Sequence, residues 1–252
     1  MIMINKISAD YIYEKKNVFG KKKNFDYAAD RLDKMLEITK NLEQPPRRIL
    51  DIGCGDGYLC HVVNKNLPKA KVFGIDISEA AIVDGRKKYK NINLFTANAE
   101  IKLPFENSSF DLVISGENIP CIKDTDIYLS EIYRVLAKDG YLLITSPNAV
   151  SWLNRILMLV GLGPFYYEPS FKKSIPVVKI GSFSMPDEKL PPTGLLRIFS
   201  PDLLAKLLKS YKFKIIKIYG SSYLNNKLVK FIDSVFSSFP SLATGTIILA
   251  QK

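Results

Sequence analysis

The sequence predicts an α/β fold built on a doubly wound, mostly parallel sheet. Three observations carry the prediction. Between Arg47 and Pro147, short β-branched runs alternate with stretches of helical character. Those runs are apolar almost without a break, as strands buried on both faces must be. The first of them ends directly in a glycine-rich turn that opens a helix.

The elements follow in order. Residues 1–46 read as a helical cap: an aromatic lead-in (Tyr11, Tyr13, Phe19), then a helix near 25–42 stopped by Pro45 and Pro46. The remainder, 47–252, reads as one domain. Five strands come first: ILDIG (49–53), KVFGIDI (71–77), INLFTAN (92–98), FDLVISG (110–116) and GYLLITSP (140–147). Helices fit between them at 57–66, 78–89 and 124–137; the second starts at Ser78 with Glu79 in its first turn. An insertion, 150–198, follows the fifth strand. It opens with VSWLNRILMLVGL (150–162), apolar on almost every side, which is expected to be buried or to form a homodimer interface. A substrate-pocket wall and a membrane-surface contact anchored by Trp152 and Arg155 are the other readings. Residues 163–196 then hold six of the 14 prolines and five aromatics without a clear period, the character of a lid. SPDLLAKLLKSY (200–211) has a Ser N-cap with Pro201 at the first helical position. FKIIKIYG (213–220), a helix near 222–236 and TGTIILAQK (244–252) close the chain and bring the strands to seven.

Composition narrows the function. A chain of 252 residues can bury a full core without staples. The three cysteines have no paired spacing, and His61 is the single histidine, which excludes a histidine-based metal cage. No metal site is expected. The N-terminus lacks a signal-peptide core, and the longest apolar stretch, 156–167, falls short of the ~20 residues that span a bilayer; a soluble, cytoplasmic protein is expected. The net charge of +11 divides as +4 over residues 1–50, −2 over 51–146 and +9 over 147–252. That asymmetry points to an anionic partner: nucleic acid, an anionic membrane or a phosphorylated substrate.

The segment that carries chemistry is ILDIGCGDGYL (49–59). Glycines let the backbone turn sharply and let a ligand lie against it, and the helix N-terminus offers free N–H groups to polar or anionic groups. Asp76, at the end of the next strand, can accept hydrogen bonds from a ribose diol. A dinucleotide loop starting at Gly53 needs a small residue at position 58 for close helix–strand packing; this chain has Tyr58. Its glycines fall instead at alternate positions, after acidic Asp51.

D-x-G-x-G-x-G at 51–57 resembles motif I of the class I S-adenosylmethionine-dependent methyltransferases. The resemblance continues in order through VFGIDIS (72–78), ANAEIKLPFENSSFDLVIS (97–115), EIYRVLAKDGYLLITSPN (131–148) and RIFSPDLLAKLLKSYKF (197–213). These segments are similar to the type 11 subgroup. The resemblance implies a Rossmann-like sheet of seven strands with the last antiparallel, and S-adenosylmethionine as cofactor. It implies that Asp51 and the loop Gly53, Cys54, Gly55 and Gly57 hold the methionine end. Asp76 would bind the ribose hydroxyls and Ile77 would pack on the adenine. Asn98, where the family usually has Asp, and Ala99 would border the adenine edge. Ser115, after the fourth strand, would line the methyl side. A sulfonium methyl is electrophilic without a metal, so the protein's work is alignment and exclusion of water.

Glu117 follows the fourth strand and is the candidate general base. Cys121 falls where the family often has His, and His61 is expected on a helix surface. SGENIP (115–120) lacks the Asp/Asn-Pro-Pro-aromatic motif of amino-methylating nucleic-acid enzymes. The leading reading is a methyltransferase acting on a small-molecule or lipid-linked acceptor. An RNA methyltransferase using the basic C-terminal part is the alternative, although 29 Lys against 7 Arg suits base and phosphate recognition poorly. A catalytically silent, cofactor-binding partner subunit is the third.

Overall fold

The computed structural model describes residues 29–180, 183–186, 192–223 and 227–252. The seven predicted strands form one sheet: β1 (Arg48–Ile52), β2 (Lys71–Asp76), β3 (Asn93–Thr96), β4 (Phe110–Ser115), β5 (Leu136–Pro147), β8 (Lys214–Ser221) and β9 (Gly245–Gln251). Their order is β3-β2-β1-β4-β5-β9-β8. The first five pair in parallel, and β9 runs antiparallel to both its neighbours. The chain order reverses between β1 and β4, so their carboxyl ends open a crevice suited to a ligand.

Strand alternation builds two cores. Leu50, Ile52, Val113, Leu142 and Ile144 face one side, against α4 (Thr125–Val135) and α6 (Pro201–Ser210). Ile49, Leu112, Ile114 and Leu143 face the other, against α1 (Ala29–Lys40), α2 (Tyr58–Asn66) and α3 (Glu79–Lys88). Helix α1 contributes Met35 and Ile38, both buried, so it is a layer of the same core as the sheet. The aromatic lead-in before it lies outside the described residues.

The predicted caps form. Ser78 Oγ accepts from Ala81 N–H at 3.1 Å, and Ser200 Oγ from Leu203 N–H at 3.2 Å beside Pro201. Two predicted boundaries shift. The helix placed at 124–137 ends at Val135, because Leu136 is already extended and pairs with Phe110 as the start of β5. The apolar helix of 150–162 shortens to α5 (Trp152–Leu159), since Gly161 turns at φ +80° and Leu162 N–H closes back on Leu157 O.

That helix is not buried within the chain. Only Asn154 and Leu157 are, while Leu159 is 86% exposed. The lid carries a short hairpin that no periodicity announced, β6 (Val178–Ile180) with β7 (Phe183–Met185). Glu168 ties its base: one carboxylate accepts from Thr193 N–H and Oγ1–H, Gly194 N–H and Leu195 N–H. The last helix, α7, spans Lys227–Phe236. Among the described residues no helix is long and apolar enough to cross a membrane.

Candidate active site

The loop after β1 alternates in handedness. Gly53, Gly55 and Gly57 all take positive φ (+72°, +56° and +80°), a conformation that side chains resist. Space adds a second demand. A Cβ on Gly57 would lie 2.9 Å from both Leu94 methyls, and one on Gly53 would lie 2.3 Å from Asn118 Nδ2. Gly53 and Cys54 donate to Ile75 O at 2.8 and 3.0 Å, which folds the loop back over the end of β2. Helix α2 then starts at Gly57 with no side-chain cap of its own.

Asp76 fixes this loop. Its Oδ2 accepts from Gly55 N–H at 2.9 Å and its Oδ1 from Ser78 N–H at 2.8 Å. One carboxylate thus joins the glycine loop to the start of α3, at the position expected to meet a ribose. Asp51 is 3% exposed, and burial raises its pKa from 3.8 to about 7; the Cys60 thiol opposes the rise with a 3.5 Å hydrogen bond. Cys54 and Cys60 are both buried free thiols.

The other predicted positions divide. Ile77, Asn98 and Ala99 are half-buried near the carboxyl ends of β2 and β3. Asn98 Oδ1 accepts from Glu100 N–H at 2.9 Å, so the amide that replaces the family's Asp shapes its own turn and keeps a second lone pair. Ser115 is fully buried, and its hydroxyl pairs with Tyr128 OH at 2.8 Å. What it can offer a ligand is backbone. His61 stacks on Tyr89, centroids 4.6 Å apart, on α2 as expected of a helix-surface ring. Cys121 Sγ lies 3.9 Å from Thr193 O.

Glu117 sits in a cluster that sequence spacing could not assemble. It has φ +59°, rare for a non-glycine residue and typical of strained functional positions. Thr145 of β5 holds its backbone N–H at 2.9 Å. Arg31 of α1 pairs with its Oε1 at 3.1 Å, and the Tyr223 hydroxyl donates to the same oxygen. Arg31 also lies over the Tyr223 ring, 5.6 Å from its centroid. Tyr166 of the lid packs edge-on against Tyr223 at 5.8 Å. Burial pushes the Tyr223 phenol up to about 12, with Arg31 pulling the other way. Five separate segments therefore converge beside the carboxyl ends of β4 and β5.

Residues 43–170, half of the chain, match the family described as a methyltransferase domain. The chain belongs to the class I S-adenosylmethionine-dependent methyltransferases. It is 33% identical over 116 residues to a malonyl-[acyl-carrier protein] O-methyltransferase of Legionella pneumophila, covering 45% of this chain and 40% of that protein. It is 37% identical over 120 residues to a demethylmenaquinone methyltransferase of Chlorobaculum tepidum, covering 48% and 47%. The chain thus spans less than half the length of these curated relatives. The fold extends further. A solved methyltransferase of Aquifex aeolicus superposes with a TM-score of 0.60 at 15% identity, covering 94% of this chain and 97% of that one.

The methyltransferase's residues fit the family's cofactor. Cβ atoms at Gly53 and Gly57 would meet neighbouring side chains, so the loop keeps a bare backbone face, and Asp76 places a carboxylate at its far end.

Proposed function

We propose that this methyltransferase moves the methyl group of S-adenosylmethionine to a small-molecule or lipid-linked acceptor, which meets the Arg31–Glu117–Tyr223 cluster beneath the lid. The bound cofactor supplies a sulfonium whose methyl carbon is electrophilic. The residues that would hold it are Asp51, the loop Gly53, Cys54, Gly55 and Gly57, and then Asp76, Ile77, Asn98, Ala99 and the backbone of Ser115.

The observation that carries the reading is the cluster itself. A carboxylate, a guanidinium and a phenol meet on one oxygen at the carboxyl edge of the sheet, the same edge that carries the glycine loop. Each has a separate task. Tyr223, with its proton held up to about 12, stays a hydrogen-bond donor at neutral pH and orients what reaches Glu117. Glu117 Oε1 can take the proton of an acceptor hydroxyl or amine that displaces Tyr223 from it. Arg31 pairs with that carboxylate at 3.1 Å and fixes its orientation. Tyr166, edge-on against Tyr223 with Phe165 beside it, is the lid's contribution to keeping water from the cluster. The relatives' names support the acceptor class, since malonyl-[acyl-carrier protein] and demethylmenaquinone are carrier-linked and apolar compounds.

The test is transfer of a labelled methyl group into fractionated cell extract, before and after nuclease. Label in an organic-soluble or small-molecule fraction that survives nuclease is expected. Nuclease-sensitive label would replace this reading with an RNA acceptor. A chain that binds cofactor by calorimetry and labels nothing would be a partner subunit.

A further inference from the structure

We infer that helices α5 and α7 form a seat on the surface of an anionic lipid bilayer, beside the entrance to the acceptor site. On and just after these two helices, nine large apolar side chains are exposed. Ile156 and Leu159 on α5 and Val160 just after it fall at helical spacing at 52, 86 and 65% exposure, and Phe231, Val235 and Phe239 stand at 73, 51 and 57%. Surface apolar residues are ordinary when scattered; concentration on two joined helices is not.

The helices are held firmly. Trp152 Nε1 donates to Asp233 Oδ1 at 2.8 Å, and the indole stacks on Phe236 with centroids 5.5 Å apart. Asp233 is buried and also accepts from Thr244 Oγ1–H at 2.7 Å. These exposed side chains therefore belong to a built platform and not to a fraying end. The platform connects to the lid, because Asn154 Oδ1 of α5 accepts from Phe165 N–H at 2.7 Å, next to the Tyr166 that packs on Tyr223.

Charge decides what covers it. Residues 147–252 carry +9, and of their five acids Asp233 is buried and Glu168 is spent on the base of the lid. Arg155, Lys172 and Lys173 are exposed in the same stretch of chain. A second copy meeting this face in two-fold symmetry would bring together two segments of net charge +9. Anionic headgroups attract the basic residues while the acyl boundary takes the apolar ones. At eight and ten residues the helices are far below the ~20 needed to span, so they lie in the interface. This deepens the lipid-linked part of the proposed function and rests on that reading only for its purpose.

The test is co-sedimentation of the full chain with phosphatidylcholine vesicles, with and without phosphatidylglycerol, across a salt series. The parent should bind the phosphatidylglycerol vesicles at low salt and release them as salt rises. A Leu159→Ser, Phe231→Ser double variant, changed only at exposed positions, should bind them at least about tenfold more weakly, about 1.4 kcal/mol. Its melting temperature and its calorimetric affinity for S-adenosylmethionine should match the parent's, which separates loss of the seat from failure of the cofactor site. No parental binding at low salt, or equal binding by the double variant, overturns the inference. So does a parental dimer that the double variant abolishes while neither protein binds vesicles.

Discussion

Replacing Asp76 with Ala tests whether one carboxylate both builds the glycine loop and holds the cofactor. In the protein without ligand, the change strands Gly55 N–H and Ser78 N–H, which now reach the carboxylate at 2.9 and 2.8 Å. Hydrogen bonds to a charged group contribute about 1.5–3 kcal/mol each. Asp76 is half-buried, so water recovers part of that loss. A net destabilisation of about 2–4 kcal/mol is expected, which for a chain of this size lowers the melting temperature by roughly 5–15 °C. The lost ribose hydrogen bonds should weaken S-adenosylmethionine and its demethylated product by a further 1–3 kcal/mol or so, about 5- to 150-fold in Kd. Asp76→Asn keeps one acceptor oxygen and should lie between parent and Ala on both scales; Asp76→Glu should lose less than Ala. Scanning calorimetry reads the first quantity and titration calorimetry the second. A folded Asp76→Ala protein that melts low yet binds cofactor as tightly as the parent would refute the ribose assignment and leave Asp76 a purely architectural residue.

Other substitutions probe the neighbouring parts. Asp51 has a folded-state pKa near 7 against an ordinary 3.8, so the native state holds the extra proton between those values and stability falls as pH rises through that window; Asp51→Asn should flatten the decline in melting temperature from about pH 4 to 7, and a parent-like decline would contradict the burial argument. Gly57→Ala forces a side chain to φ +80° and into Leu94, which should cost about 2–4 kcal/mol by denaturant titration; an unchanged midpoint would mean the loop relaxes freely. Glu117→Gln should leave cofactor affinity near the parent's and cut turnover by about 100-fold or more, the usual range for a lost general base; parental turnover would remove it from the chemistry. Replacing residues 170–191 with a short Gly-Ser linker should spare melting and cofactor binding while methyl transfer collapses, and a parental rate would show that the gate lies elsewhere.

The sheet was legible because each strand is a short apolar run and each turn signal is local. Ser78 and Ser200 cap where their sequence placed them, since a cap depends on a residue three positions away. The glycine loop was legible for the same reason: strand, three alternate glycines and helix lie within eleven residues. The acceptor end was not. Arg31, Glu117, Thr145, Tyr166 and Tyr223 are scattered over nearly two hundred positions, and tertiary pairing of β4, β5, β9 and β8, with α1 and the lid packed beside them, brings them together. Apolar character could not say what covers α5: burial within the chain, one of its readings, is excluded by its exposure, whereas a homodimer interface or a membrane contact is not. Gly85 gave no signal at all, yet a Cβ there would sit 2.2 Å from Asp56 O, so it lets α3 press against the glycine loop.

The Glu168 clamp makes the lid a replaceable part. Four donors from residues 193–195 end on one carboxylate, so the loop leaves and re-enters the domain at nearly the same point. The entropic cost of closing a loop between two such fixed ends grows only with the logarithm of its length. On the proposed reading, insertions or exchanges between 169 and 192 alter which acceptor fits and leave Asp76 and the glycine loop, which lie outside the segment, unchanged. A methyltransferase built this way can acquire a new acceptor by changing one cassette, and the clamp marks where an engineer should cut.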